Sequence, residues 1–193
     1  MDLSESFWDT RYKNQDTGWD LGKVSLPIKT YVDQLEDTSL KILIPGAGNS
    51  YEAEYLFKNG FKHVFIADLS KTALENFKNR VPNFPDTNLL HINFFNISEA
   101  FDVIIEQTFF CALNPSLREA YAKKIHNLLN SKGKLVGLLF DKPLNEDRPP
   151  FGGSKKEYAT YFKPYFDFDI FEASYNSMPS RKDSELFIKL QKK

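Results

Sequence analysis

Residues 40–51, LKILIPGAGNSY, run an apolar strand into a glycine turn and then into a helical pattern. A second apolar run, HVFIAD, ends on Asp68, about 20 residues on, where dinucleotide-type folds place an acid against a ribose. A strand–turn–helix of this kind sets backbone N–H groups and the positive end of a helix beside a ligand. A carboxylate at the tip of the next strand accepts from both ribose hydroxyls. The pairing points to a parallel α/β arrangement and makes a nucleoside-containing cofactor the leading expectation.

The periodicity of the remaining chain agrees. Strand patterns at residues 41–45, 64–68, 89–94, 101–106 and 134–140 alternate with helical ones, as in a doubly wound sheet. Ser70 is placed to cap a helix that carries Ala73, Leu74 and Phe77 on one face. Asn114-Pro115 opens another, with Leu117, Ala120, Tyr121, Ile125 and Leu128 as its apolar stripe and Gly133 as its stop. Ser154 and Glu157 form a capping box ahead of Tyr158, Tyr161 and Phe162. The last two strands, FDFDIFEASY and SELFIKLQ, are separated only by residues 176–183. That gap permits an antiparallel pair but no parallel crossover. A mostly parallel sheet with an antiparallel C-terminal strand is the class I methyltransferase arrangement, whereas nicotinamide dehydrogenases favour an all-parallel order. One domain over residues 1–193 is expected.

Composition narrows the function classes. Lys+Arg number 25 and Asp+Glu 26 among 193 residues, so no general nucleic-acid or membrane footprint is expected. The lone Cys111 excludes an intrachain disulfide. No signal-peptide pattern and no apolar run near the ~20 residues of a membrane helix is present, which predicts a soluble cytoplasmic protein. Phe (18), Tyr (9) and Trp (2) bring the aromatic content to 15%. Most of these are expected in the core, and only those beside the glycine turn are given a role.

Gly46 and Gly48 stand where a Cβ would obstruct a ligand and restrict φ. A pyrophosphate-binding fingerprint needs a third glycine near position 51, and Tyr51 stands there. The turn therefore suits a phosphate-free ligand such as S-adenosylmethionine. Asn93-Phe94 is either a strand-end polar residue beside a core ring or an adenine reader, with the amide on the base edge and Phe94 on its face. Either Glu106 or Gln107 faces the cofactor from the next strand tip, with Phe109 and Phe110 beyond. His63, His91 and His126 are expected to be structural, Cys111 a small core residue, and no metal site is expected.

The segments FWDTRYKNQDTGWDLGKVSLPI, IPGAGNSYE, FDVIIEQTFFCALNPSLREAYA and RPPFGGS together resemble the thiopurine S-methyltransferase superfamily, and most closely its halide and thiol methyltransferase branch. The most specific parts are the spacing of Trp8, Tyr12, Trp19, Asp20 and Gly22, and the Phe-Phe-Cys-Ala-x-x-Pro-x-x-Arg run ending at Arg118. Met178–Lys182 resembles a loop near that branch's substrate pocket. The resemblance implies a seven-stranded Rossmann-like sheet and cofactor contacts at Trp8, Tyr12, Trp19, Gly46, Asp68, Asn93, Phe94 and Gln107. It also implies an N-terminal helical lid over residues 1–36. Three positions depart from the pattern: Asn93 replaces the usual aspartate, Gln107 an aromatic or arginine, and Asp147-Arg148 glycines. Arg148 is expected to be solvated.

The activity so implied is transfer of a methyl group from S-adenosylmethionine to a thiol, hydrosulfide or halide, releasing S-adenosylhomocysteine. Such nucleophiles need no base once ionised, so orientation and desolvation suffice. Arg181 is expected to attract the acceptor, with Phe109 and Phe151 lining its pocket. A small-molecule acceptor and a monomer or weak homodimer are expected. The alternatives are a nicotinamide-dependent oxidoreductase and a non-catalytic S-adenosylmethionine-binding protein.

Overall fold

A computed structural model describes residues 2–193. In chain order it contains α1 (Glu5–Lys13), α2 (Leu26–Val32), β1 (Ile42–Pro45), α3 (Tyr51–Lys58), β2 (Val64–Asp68), α4 (Lys71–Arg80) and β3 (Leu89–His91). Then follow β4 (Phe101–Gln107), α5 (Arg118–Leu128), β5 (Leu129–Phe140), α6 (Lys155–Phe162), β6 (Phe166–Ala173) and β7 (Glu185–Lys192). All seven strands join one sheet in the order β3-β2-β1-β4-β5-β7-β6. β1 to β5 pair in parallel, while β7 is inserted antiparallel between β5 and β6. The chain winds from β1 out to β3 and returns to β4, which puts the topological switch point between β1 and β4. Ligands of open α/β sheets bind beyond the strand tips at that point.

β1 is buried along its whole length, as a central parallel strand covered on both faces must be. Ile42 and Ile44 pack with Val32, Leu56 and Phe77 from α2, α3 and α4. Leu43 and Ile104 face the other way, into Tyr121, Ile125 and Phe162 from α5 and α6. α2 thus belongs to the helical layer of the sheet, burying Ile28 and Val32. Only α1, with Tyr12 as its one buried residue, stands apart from both layers.

Several local expectations are corrected. The helix preceding β5 ends at Leu128 rather than Gly133, because Leu129 is already extended (φ −88°, ψ 139°) and pairs with Phe101. Gly133 lies inside β5, where a Cβ would sit 2.9 Å from the Asn130 carbonyl. Asn114-Pro115 opens a short 3-10 turn, Pro115–Leu117, before α5. The buried face of α5 is then Arg118, Tyr121, Ala122, Ile125 and Leu128, with Leu117 exposed. β3 stops at His91 because the Asn93 side chain accepts from Phe95 N and turns the chain into a 3-10 turn, Phe94–Asn96. Ser154 caps α6 through Glu157 N, but the Glu157 carboxylate turns to Arg118 instead of closing the box. Among the described residues no helix is long and apolar enough to cross a membrane.

Candidate functional site

A cavity of about 450 Å³ opens at the tips of β1, β2 and β4, beneath α1. The volume lies within the usual range for small-molecule sites, about 300–1,000 Å³. The glycine turn forms its floor. Gly46 and Gly48 have φ of +56° and +54°, in the left-handed region that costs glycine nothing. A Cβ on Gly46 would lie 2.1 Å from the Phe109 ring, and one on Gly48 would lie 2.4 Å from the Tyr12 hydroxyl. Both glycines are therefore fixed by neighbouring side chains as well as by φ. Ser50 also has positive φ (+49°), and the Asn49 carbonyl next to it accepts from the Arg80 guanidinium. Arg80 in turn stacks on the Tyr51 ring, 4.2 Å from its centroid. Tyr51, in the place of a third glycine, so points onto α4.

Asp68, at the tip of β2, is buried. Its Oδ2 accepts from Gly48 N (2.8 Å) and its Oδ1 from Ser70 N (2.7 Å). Burial pushes its carboxyl up, and those two N–H groups oppose the shift. Each oxygen keeps a second lone pair for a ligand. Glu52 and Asp20 line the same floor. Glu52 is buried and takes one bond, from Ser25 N (3.0 Å). Burial raises its pKa as well. Asn49 Oδ1 and Ser50 Oγ, also at this floor, are buried without a hydrogen-bond partner among the described residues.

The lid side is aromatic. Trp19 meets Trp8 and Tyr12 edge-to-face at 5.7 and 5.9 Å between centroids, and Arg11 stacks on Trp19 at 4.7 Å. Trp8, Tyr12, Trp19, Gly46, Gly48, Asp68, Asn93, Phe94, Gln107 and Phe109 all line the cavity. Gln107 is the strand-tip residue that faces it, its Oε1 accepting from Ser25 Oγ. Arg148 is exposed beside Asp147.

Arg181 and Phe151 are corrected: neither lines the cavity. Arg181 is buried behind the wall, where it pairs with Glu185 (3.3 Å), donates to the Trp19 carbonyl (2.6 Å) and lies over Phe140. Its charge is spent on structure. Phe151 is turned into the core, its N–H bonded to the Cys111 carbonyl (2.7 Å), and Pro149 and Pro150 take the wall position beside it. Cys111 reaches the cavity, but burial pushes its thiol up to about 12, which removes it as a nucleophile at neutral pH. No His/Cys/Asp/Glu cluster that could hold a metal occurs among the described residues. Asn49, Ser50 and Glu52 are given no role by sequence reasoning, and Asp20 enters there only as part of the Trp8–Gly22 spacing. The one available signal was the polar Asn-Ser pair directly after the glycine turn.

Glu106, the other strand-tip candidate, is fully buried under the wall. Its Oε1 accepts from Phe109 N (2.7 Å) and Phe110 N (2.8 Å), and its Oε2 from the Tyr121 hydroxyl (2.6 Å). These bonds hold a corner in which Thr108 has φ +61°, an uncommon angle for a β-branched residue. Burial pushes the Glu106 carboxyl from its ordinary 4.5 up to about 7, against the pull of those donors. The fold therefore favours the protonated form. Its stabilisation is full below 4.5 and is lost as pH rises through about 7. Glu106→Gln removes the charge, keeps the two backbone bonds through its amide oxygen and reverses the third, its amide N–H donating to the Tyr121 oxygen. It is expected to raise stability at about pH 8.5 by on the order of 2–3 kcal/mol, with no gain at about pH 4. Urea unfolding at the two pH values measures this, and a gain independent of pH would show that Glu106 is not the titrating group.

The sheet order and the strand-tip cavity define a class I S-adenosylmethionine-dependent methyltransferase fold. The structure of 1,6-didemethyltoxoflavin-N1-methyltransferase from Burkholderia thailandensis, which holds S-adenosylhomocysteine, superposes with a TM-score of 0.80 at 15% identity, covering 97% of this chain and 86% of that one. The family model for thiopurine S-methyltransferase (TPMT) matches residues 3–190. A probable thiol methyltransferase 2 from Arabidopsis thaliana is 31% identical over 166 residues, 83% of this chain and 73% of the relative. Thiocyanate methyltransferase 1 from the same plant is 24% identical over 189 residues, 95% of this chain and 83% of the relative. The chain belongs to the thiopurine S-methyltransferase family, and with it to the S-adenosylmethionine-dependent methyltransferases.

Proposed function

We propose that this protein methylates a small soft nucleophile, a thiol before hydrosulfide or halide, by in-line transfer from S-adenosylmethionine bound across the glycine turn. The observation that carries the reading is the charge of the cavity floor. Asp20, Glu52 and Asp68 line it, with Asp2 at its edge, against two lid cations, Lys23 and Arg11, the latter paired with Asp16 at 3.1 Å. Phosphates would be repelled there, whereas a ligand bearing an ammonium and a sulfonium is attracted. The unpartnered acceptors Asn49 Oδ1 and Ser50 Oγ suit the ammonium end of the same ligand. The residues present therefore fit this cofactor and oppose a pyrophosphate.

Asp68 accepts the ribose hydroxyls on its free lone pairs. Asn93 uses its oxygen on Phe95 N at 2.9 Å, so its amide N–H groups are what it offers an adenine ring nitrogen. Phe94 packs on the base. Residues 2–23, a narrower span than expected from sequence, act as the lid, and its indoles wall the sulfonium with negative ring faces. When bound, S-adenosylmethionine supplies an electrophilic methyl group. The chain orients the acceptor against it and excludes water.

At the acceptor end stand Phe95, Phe109, Leu113, Pro149 and Pro150. Arg181 and Arg118 are turned away to Glu185 and Glu157. Stripping a hydrated anion into an apolar wall without a cation is costly, while a thiol enters neutral and releases its S–H proton to solvent as the S–CH3 bond forms. This order of preference is tested by offering aromatic thiols, hydrosulfide, thiocyanate and iodide in parallel and measuring S-adenosylhomocysteine release. Aromatic thiols are expected to be methylated best. Release with none of them would reduce the protein to a cofactor-binding scaffold. In a thermal-shift series, S-adenosylhomocysteine at ~100 Kd should stabilise by about 2.7 kcal/mol and NAD should not, whereas stabilisation by NAD alone would restore the oxidoreductase reading.

A further inference from the structure

The lid helix α1 has two working faces. Trp8 and Tyr12, one turn apart, look into the cavity. Glu5, Asp9 and Lys13 form the next stripe, of which Glu5 and Lys13 are largely exposed and Asp9 is turned onto the body of the protein. Asp9 is the residue that makes contact. Its Oδ1 accepts from Ser70 Oγ (2.8 Å) and from Thr72 N (2.9 Å), and its Oδ2 pairs with Lys13 Nζ (2.7 Å). Thr72 N is one of the N-terminal N–H groups of α4, left without an intrahelical partner. Ser70 already accepts from Ala73 N (3.1 Å) as the cap of α4. Asp9 therefore completes, from another helix, the cap of the helix that follows the proposed ribose acid. Burial pushes its carboxyl up, but Lys13, Thr72 and Ser70 more than offset this and hold it well below the usual carboxylate range.

Ser70 is fully buried, and its own N–H donates to Asp68 Oδ1 at 2.7 Å. A continuous hydrogen-bonded path thus runs from the lid through Ser70 to Asp68, and from Asp68 to the glycine turn through Gly48 N. At the lower end of the same stripe, Glu5 approaches His91 Nε2 at 3.2 Å.

We propose that Asp9 is a positioning residue. It latches the aromatic lid onto the N-terminus of α4 and ties lid closure to the orientation of Asp68. The assignment rests on the cofactor reading above for what the lid encloses. Without the latch the closed lid is a smaller fraction of the population, and apparent cofactor affinity falls by that fraction. The chemical step, made from the closed state, is unaffected.

Trp8 and Trp19 are the only tryptophans of the chain, so its intrinsic indole fluorescence reports the lid alone. In Asp9→Ala, two hydrogen bonds to the lid are lost. KM for S-adenosylmethionine and the S-adenosylhomocysteine dissociation rate followed by that fluorescence are expected to rise about tenfold, with kcat unchanged. Asp9→Asn keeps the accepting oxygen and should restore both. Lys13→Ala should change neither. Unchanged KM and dissociation rate in Asp9→Ala overturn the proposal, as does a lower kcat at unchanged KM. Should Asp9→Ala fail to fold, Asp9→Glu, whose longer arm misplaces the carboxylate, reads the same quantities. Amide exchange of residues 5–13 without ligand tests the latch independently of the cofactor. Equal protection in native and variant protein sinks it, whereas failure of the native protein to bind S-adenosylhomocysteine sinks the cofactor reading alone.

Discussion

Asp68→Ala is expected to weaken S-adenosylmethionine binding by at least about 10²-fold, because a carboxylate that accepts two ribose hydroxyls contributes about 1.5–3 kcal/mol through each. The same substitution strands two N–H groups, those of Gly48 and Ser70, which now bond to Oδ2 and Oδ1. A buried donor left unpaired costs about 1–3 kcal/mol, so unfolding should occur at lower temperature even without ligand. Asp68→Asn separates the two effects. Its amide oxygen can serve one of the N–H groups, but its amide nitrogen must then face the other, donor against donor. Asn should therefore remain well short of Asp in both affinity and stability, although its shape is nearly the same. Calorimetric titration with S-adenosylhomocysteine and a thermal melt of each variant provide the two readouts. Native affinity in Asp68→Ala would remove Asp68 from the site.

Much of this site could be read from residue types because its chemistry is local. Apolar runs, a glycine turn and an acid at a strand tip are contiguous in sequence, and β1 and β2 pair in register from Ile42 with Val64 onward. The short 176–183 connection likewise dictated the antiparallel pairing of β6 with β7. What escaped depends on the direction of a side chain set by distant partners. Glu52 sits in the first turn of α3, where an acid ordinarily faces water and favours the helix dipole. It is buried because Ser25 N, 27 residues earlier, arrives to bond it. Arg181 reads as a pocket cation that attracts the acceptor from the Met178–Lys182 loop. Its i, i+4 partner Glu185 was visible in sequence, but the pull of the Trp19 carbonyl, 162 residues away, was not. Gly133 misleads for a similar reason: it is required by the close Asn130 carbonyl within β5 and not by a helix end.

The second large effect is expected at Gly46, where two costs coincide. Its φ of +56° charges an alanine about 1–2 kcal/mol of left-handed strain. The added methyl would lie 2.1, 2.5 and 2.9 Å from Cδ2, Cγ and Cβ of Phe109. Phe109 cannot simply swing aside. Its backbone N–H is held by Glu106 (2.7 Å), and its ring is packed on Phe94 and Tyr121 at 5.4 and 6.0 Å between centroids. Overpacking of this kind costs about 1–3 kcal/mol, so Gly46→Ala should destabilise by about 2–5 kcal/mol in total. Under the proposed function, in which Phe109 is the wall that aligns the acceptor, activity should fall further than stability alone explains, since a misplacement of about 1 Å can cost about 10²-fold in rate. The cause can be isolated by a double-mutant cycle. Phe109→Ala removes the ring that collides, so the pair Gly46→Ala/Phe109→Ala should lose clearly less stability than the sum of the single variants. Residues in contact commonly couple by about 0.5–3 kcal/mol. If the two losses simply add, backbone strain is the whole of the effect, and the Phe109 ring does not constrain the turn.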